Sequence, residues 1–341
     1  MSRLLMLLGH VLFAHAALLS PFSLLEMQHS VGSHAGSERS LALYPLPAVY
    51  LPGTTCTLRN VEPRNIAMAR EQSVFVASLV SPDRSSCARV GTVLRIDEMH
   101  AASADTSGQV LASPESSRVL QVECTAVERV ELVRCDNLEA WTARDTYLMA
   151  EVVAFHDDEP ATEDGGSGGG TDVMEEAVEG ALFRLVDALL ESERSESTID
   201  VGAAVDALEA TASHVAAGAW WAALELWQRH CATRTAAAMA QHQAERHEVL
   251  IDAALRQGGP LQLPVREASL PSADRRKLYD LDRRNAEALG QVGLDDAHSF
   301  QACLEATSSR ARAQTLLEGV EREARRLAQR AALQRALDAS S

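Results

Sequence analysis

The chain has 341 residues, enough for two domains at about 150 residues each, with cores that need no metal or disulfide staple. Its 31 basic and 48 acidic residues leave a net charge of −17, and aromatics are 4% of the total. That balance excludes binding driven by phosphate-backbone counterion release, and it leaves few rings for base stacking. The single lysine, Lys277, excludes a phosphate-loop ATPase, which needs Gly-Lys-Ser/Thr. Ser–Lys or Schiff-base chemistry would have to use Lys277 inside the charged run Asp274-Arg275-Arg276-Lys277, a poor place to lower a lysine pKa.

Met1-Ser2-Arg3, an apolar run from Leu4 to Phe13 and Ala14-His15-Ala16 predict a signal peptide over 1–16, cleaved between Ala16 and Ala17. The run is too short to span a bilayer, so no stable membrane span is expected. Residues 17–40 are rich in Ser, His and Gly and poor in acids, a disordered or transit-like composition. Together these imply entry to the secretory pathway, with the plastid of an alga as a destination for a two-part leader. A chain that does not use its leader is cytoplasmic.

Residues 41–159 carry strand signals with no long helix between them, which predicts an antiparallel barrel or sandwich. The strands are Ser73–Val80, Val90–Ile96, the pair Arg118–Glu123 and Val127–Val133, and Tyr147–Phe155. His100–Ser117 reads as a surface loop, and Pro47 and Pro52 suit an edge strand. Gly53 supplies the turn that Pro52 sets up. Pro63 suits the first turn of a helix, with Glu62 near its positive end and Arg64 free to fork onto a carboxylate.

An acidic, Gly-rich linker spans 160–172, and helical periodicity follows over 173–338. Val178, Leu182, Leu185, Val186 and Leu189 form the first stripe. Further helices are expected over Asp200–Val215, Trp220–Arg256, Ser272–Leu289 and Ala297–Ala336. Trp220, Trp221, Leu224 and Trp227 read as packing core. The fold class is therefore α+β, a β-barrel-like domain followed by an α-helical domain.

No metal site is expected. The six cysteines form no Cys-x-x-Cys pair and read mainly as buried free thiols. His247-Glu248 meets Ile251 where a zinc helix needs its second His, and His156-Asp157-Asp158 lacks further ligands.

Five motifs in order resemble the N-terminal, substrate-binding domain of Lon proteases. They are Leu41–Gly53, Val61-Glu62-Pro63-Arg64-Asn65 with Met68, Val90–Glu98, Tyr147–Val152, and Leu304–Ser308 with Arg312 beyond it. Val61 and Asn65 replace aromatics, and Ala126 and Val130 replace Gly and Phe around a retained Arg129. The resemblance implies a stand-alone form without ATPase or protease domains: a non-catalytic protein, needing no cofactor, that binds polypeptide clients or a protease or chaperone partner. Glu62, Pro63 and Arg64 are the candidate peptide-binding or structural residues. The rival functions are a helical scaffold, or an adaptor in protein turnover or organelle assembly. The cereblon-type adaptor lacks its cysteine pairs here. Nucleic acid is not an expected partner, and the sequence leaves the oligomeric state open.

Overall fold

The computed structural model describes residues 38–102, 119–143, 145–158, 172–193, 201–256 and 270–339. Residues 1–37 of the expected 1–40 leader, residues 103–117 of the expected loop and the linker up to residue 171 lie outside the described residues, as do Ala16 and Ala17; His100, Ala101 and Ala102, expected in the loop, lie at the end of a strand.

The β region runs β1 (Arg39–Leu46), β2 (Thr55–Asn60), α1 (Pro63–Glu71), β3 (Val74–Leu79), β4 (Val90–Ala102), β5 (Val119–Cys135), a 3-10 turn (Leu138–Trp141) and β6 (Leu148–Ala154). The pairing order is β2-β5-β4-β3-β1-β6, and β6 returns to β5, so five strands close a ring and β2 branches from it. The ring is mixed rather than antiparallel throughout, because β1 runs parallel to β3 with Ala42 opposite Phe75. It is not a regular barrel.

Two expected strands are one. Residues 119–135 form one continuous strand; buried and open positions alternate as far as Ala126, and Cys124 and Ala126 are buried where a turn was expected. This long strand pairs β2 through its first half, β6 through its second, and β4 along both. Bulges at Asp97 and Val127 let it bend between partners. The prolines do not mark an edge. β1 pairs on both sides, holds Pro45 within it, and ends before Pro47. The open edge belongs to β2.

Alternation puts a core on each face of the ring. Leu43, Val76, Val93, Val130, Leu132 and Val152 fill one face, closed by Ala140 of the 3-10 turn. Ala42, Phe75, Ala77, Leu94, Val122 and Ala126 fill the other, where Ile66, Met68 and Ala69 of α1 pack down. Gly91 is required by a close approach. A Cβ there would lie 2.8 Å from both the Ala77 carbonyl oxygen and Val76 Cγ1.

The helices are α2 (Asp172–Glu193), α3 (Val201–Ala216), α4 (Trp220–Arg256), α5 (Ser272–Glu305) and α6 (Ser309–Asp338). The α2 stripe is placed as expected, with Val178, Leu182, Leu185 and Leu189 buried. α3 turns into α4 at Gly218, whose φ of +67° suits glycine. The expected break near residue 290 does not occur. Gly290 is buried within a continuous α5, where packing outweighs its helix cost of about 1 kcal/mol. The chain breaks instead after Glu305, and Ser308 caps α6 by accepting from the Ala311 N–H. Among the described residues no helix is long and apolar enough to cross a membrane.

The largest core joins the two regions. Val49, Leu51 and Val90 of the β region pack with Leu182, Leu208, Trp227, Leu304 and Leu316. Gln228 and Gln301 donate to the carbonyls of Val49 and Val90 at 2.8 and 3.0 Å.

Candidate functional site

Glu62, Pro63 and Arg64 sit together at the start of α1. Glu62 is the N-cap residue and Pro63 takes the first turn, where its missing N–H costs nothing. Arg64 Nε donates to Glu62 at 2.8 Å. One of its terminal nitrogens donates to the carbonyls of Ala140, Trp141 and Ala143 at 3.3, 3.3 and 3.1 Å. Arg64 thus ties α1 to the 3-10 turn and is committed to carbonyls of its own chain. Glu62, with half of its side chain exposed, keeps an open face.

Beside this corner lies a half-buried apolar fringe. Tyr44, Leu46, Tyr50, Ile96, Tyr147 and Met149 pack on the α1-side core without being covered by it. Tyr44 donates to Asn60 at 3.0 Å and accepts from Asn65 Nδ2 at 3.0 Å, so the polar residue in place of an aromatic has found a partner. Burial, with Glu62 close by, pushes the Tyr44 pKa up to about 12, and burial raises that of Tyr50 further. Both remain neutral hydroxyls. Val61, on the β2–α1 connection, is exposed.

The edge of β2 borders the same corner. Ala126 N–H donates to the Thr54 carbonyl at 2.8 Å, and the register runs from Thr55 opposite Thr125 to Asn60 opposite Leu120. By antiparallel alternation, Cys56, Leu58 and Asn60 bond to β5, while the N–H and C=O groups of Thr55, Thr57 and Arg59 face outward. Among the described residues no strand pairs with that edge. A row of outward backbone groups beside an apolar fringe can take an extended chain as an added strand.

A second constellation fastens the helices to the β region. Asp157, just past β6, accepts from Arg129 at 2.5 Å, and from Arg312 at 2.8 Å on one oxygen and 2.6 Å on the other. Arg129 also donates to the carbonyls of Leu304 and Ala306, at the α5–α6 break. Both guanidiniums lie against Trp221, at 5.2 and 4.8 Å from the ring centre. The hydrogen bonds from Arg312, then those from Arg129, hold the Asp157 carboxyl below the usual range against the opposing pull of burial. Asp157 reads in sequence as a charged strand end. Its role is visible only when the retained Arg129 and distant Arg312 are brought to it.

Inside the helical region, Arg234 pairs with Glu323 and Asp296 at 2.6 and 2.5 Å, and His230 stacks on Trp227 at 5.1 Å. Burial lowers the His230 pKa to about 4. Glu98, His100 and Glu123 could hold a divalent metal, since one donor atom from each lies within 4.8 Å of the others. The sequence expectation missed this group because the Asp97 bulge sets the register that aligns it. The Glu98 and His100 side chains are more than half exposed and bond to each other at 3.1 Å, so the cluster lies open on the surface.

A family model described as the ATP-dependent protease La (LON) substrate-binding domain matches residues 40–219, more than half of the chain. The match runs past the β region through α2 and α3. No curated protein sequence matches. Among solved structures, a Lon N-terminal domain protein from Xanthomonas campestris is similar at 24% identity and a TM-score of 0.27, over 40% of this chain and 72% of that one. The N-terminal domain of a Mycobacterium avium complex Lon protease is similar at 12% identity and a TM-score of 0.30, over 57% and 96%. The assignment rests on the family model alone: the chain belongs to the Lon (ATP-dependent protease La) substrate-binding domain family.

Proposed function

We propose that this chain is a non-catalytic polypeptide-binding protein that takes extended segments of client chains along the free edge of β2. The observation that carries this reading is the substrate-binding family match over 40–219. The outward backbone groups of Thr55, Thr57 and Arg59 and the fringe of Tyr44, Tyr50 and Met149 supply the chemistry. Main-chain bonds would give affinity for any extended chain, and the fringe would favour apolar side chains. An exposed Lys277 supports the absence of lysine-dependent catalysis. The test is fluorescence anisotropy with a permanently unfolded, carboxymethylated protein and its native counterpart. Saturable binding of the unfolded form alone supports the proposal, and equal or absent binding refutes it.

A second reading is favoured by one feature. Phe183 and Leu190 of α2 and Leu333 and Leu337 of α6 are exposed on two helices that pack together. A scaffold role would use that apolar surface for assembly. It predicts concentration-dependent self-association in sedimentation, abolished by F183S/L333S.

A further inference from the structure

We propose that Cys56 and Cys124 form an oxidisable dithiol, a modification site that takes a small-molecule disulfide as co-reactant and closes to a cross-strand bond between β2 and β5. The two cysteines lie directly opposite in the β2–β5 register. They occupy a hydrogen-bonded antiparallel position, where Cα atoms stand about 5.5 Å apart. That separation lies within the Cα range of disulfides, about 4.4–6.8 Å, and closure draws the two Cβ atoms together to about 3.5–4.5 Å. All six cysteines are free, and Cys56 alone is only half-buried.

The pair has a built-in order of reaction. The register sets the two thiols side by side, so the ionisation of one is tied to the proton of the other. Hydrogen bonding between the neighbouring thiols favours the Cys56 thiolate and holds its pKa below the ordinary thiol range, while the same interaction and burial push Cys124 up. Cys56 is therefore both the accessible sulfur and the one that ionises first. Its thiolate attacks one sulfur of the co-reactant R–S–S–R, forming a mixed disulfide and expelling RS⁻. Cys124 then loses its proton and attacks the Cys56 sulfur, expelling the second RS⁻. Two protein thiols are oxidised, one small disulfide is reduced, and the two protons leave on two RSH. The product fastens β2, which among the described strands is held by β5 alone.

Cys87 and Cys135 provide an internal control. They share a core, but both are buried, and burial pushes the Cys87 pKa up to about 12. The test treats the full chain with oxidised glutathione, traps free thiols with iodoacetamide and cleaves at arginine. Residues 40–59 and 119–129 should appear as one linked peptide, lighter by two hydrogens than the sum and separated by dithiothreitol. In C124A the glutathione adduct should persist on Cys56. In C56S, Cys124 should stay unmodified. Recovery of Cys56 and Cys124 as separately alkylated peptides overturns the proposal, as does linkage of Cys87 to Cys135 alone. A Cys56 adduct that persists in the wild-type chain also overturns it.

Discussion

Replacing Asp157 with Ala removes the anion between two buried cations. The Arg129 and Arg312 side chains are 7% and 3% exposed, and Asp157 accepts three charge-assisted bonds from them. Breaking a buried ion pair by deleting one partner costs about 3–5 kcal/mol, because the remaining charge is left without its counterion. Here two guanidiniums would be left against one indole, with neutral groups alone, mainly carbonyls, as their remaining hydrogen-bond partners. With a urea m-value of about 3 kcal/mol/M, the D157A midpoint should fall by about 1–1.7 M. Adding R312M should recover part of that loss, since it removes one of the two stranded charges. A D157A loss under about 1 kcal/mol, the range of exposed pairs, would refute the reasoning. So would a double mutant whose losses simply add. The same pair predicts a pH dependence. A carboxyl pKa lower when folded than when unfolded gives stability that is full above the unfolded value, about 3.9. That stability drains away as pH falls through the lower folded value, and the D157A urea midpoint should lack this component.

Three further outcomes follow from the geometry. His230 is buried neutral with its pKa lowered to about 4, so the unfolded chain binds its proton first as pH falls below about 6.5. Wild-type stability should therefore decline from about pH 6.5 to about 4, and H230Q should lack that part of the slope in urea titrations; superimposable slopes would contradict it. Gly91→Ala should cost about 1–3 kcal/mol, since its Cβ meets the Ala77 carbonyl as well as the Val76 side chain, and the backbone atom cannot move aside alone; an unchanged thermal midpoint would show that the strands can separate. Arg64→Ala should cost about 1.5–3 kcal/mol by freeing three carbonyls. It should leave client affinity near wild type, and a large affinity loss without a stability loss would give Arg64 a direct binding role.

The legible parts of the sequence were those where one local signal sufficed. The helix of Pro63, the turn at Gly53 and the stripe of α2 depend on residues within a few positions of each other. The illegible parts depend on partners far away. β5 is one strand because three others bond along it, and α5 passes Gly290 because that glycine is packed. The parallel β1–β3 pairing and the closure of β6 on β5 leave no local trace. Of the candidate residues, Arg64 was legible as a fork, but its acceptors are carbonyls rather than the carboxylate alone. The free edge lay one strand beyond the expected one, because Pro47 and Pro52 belong to a connection that turns toward the helices.

Client binding along β2 is tested most directly by Thr57→Pro. Thr57 turns its N–H away from β5, so proline removes an outward donor while the β5 ladder keeps its bonds. Anisotropy with the unfolded client should show at least a tenfold loss of affinity for T57P, with the wild-type circular-dichroism spectrum retained. Wild-type affinity in a folded T57P chain would contradict the proposed mode of binding.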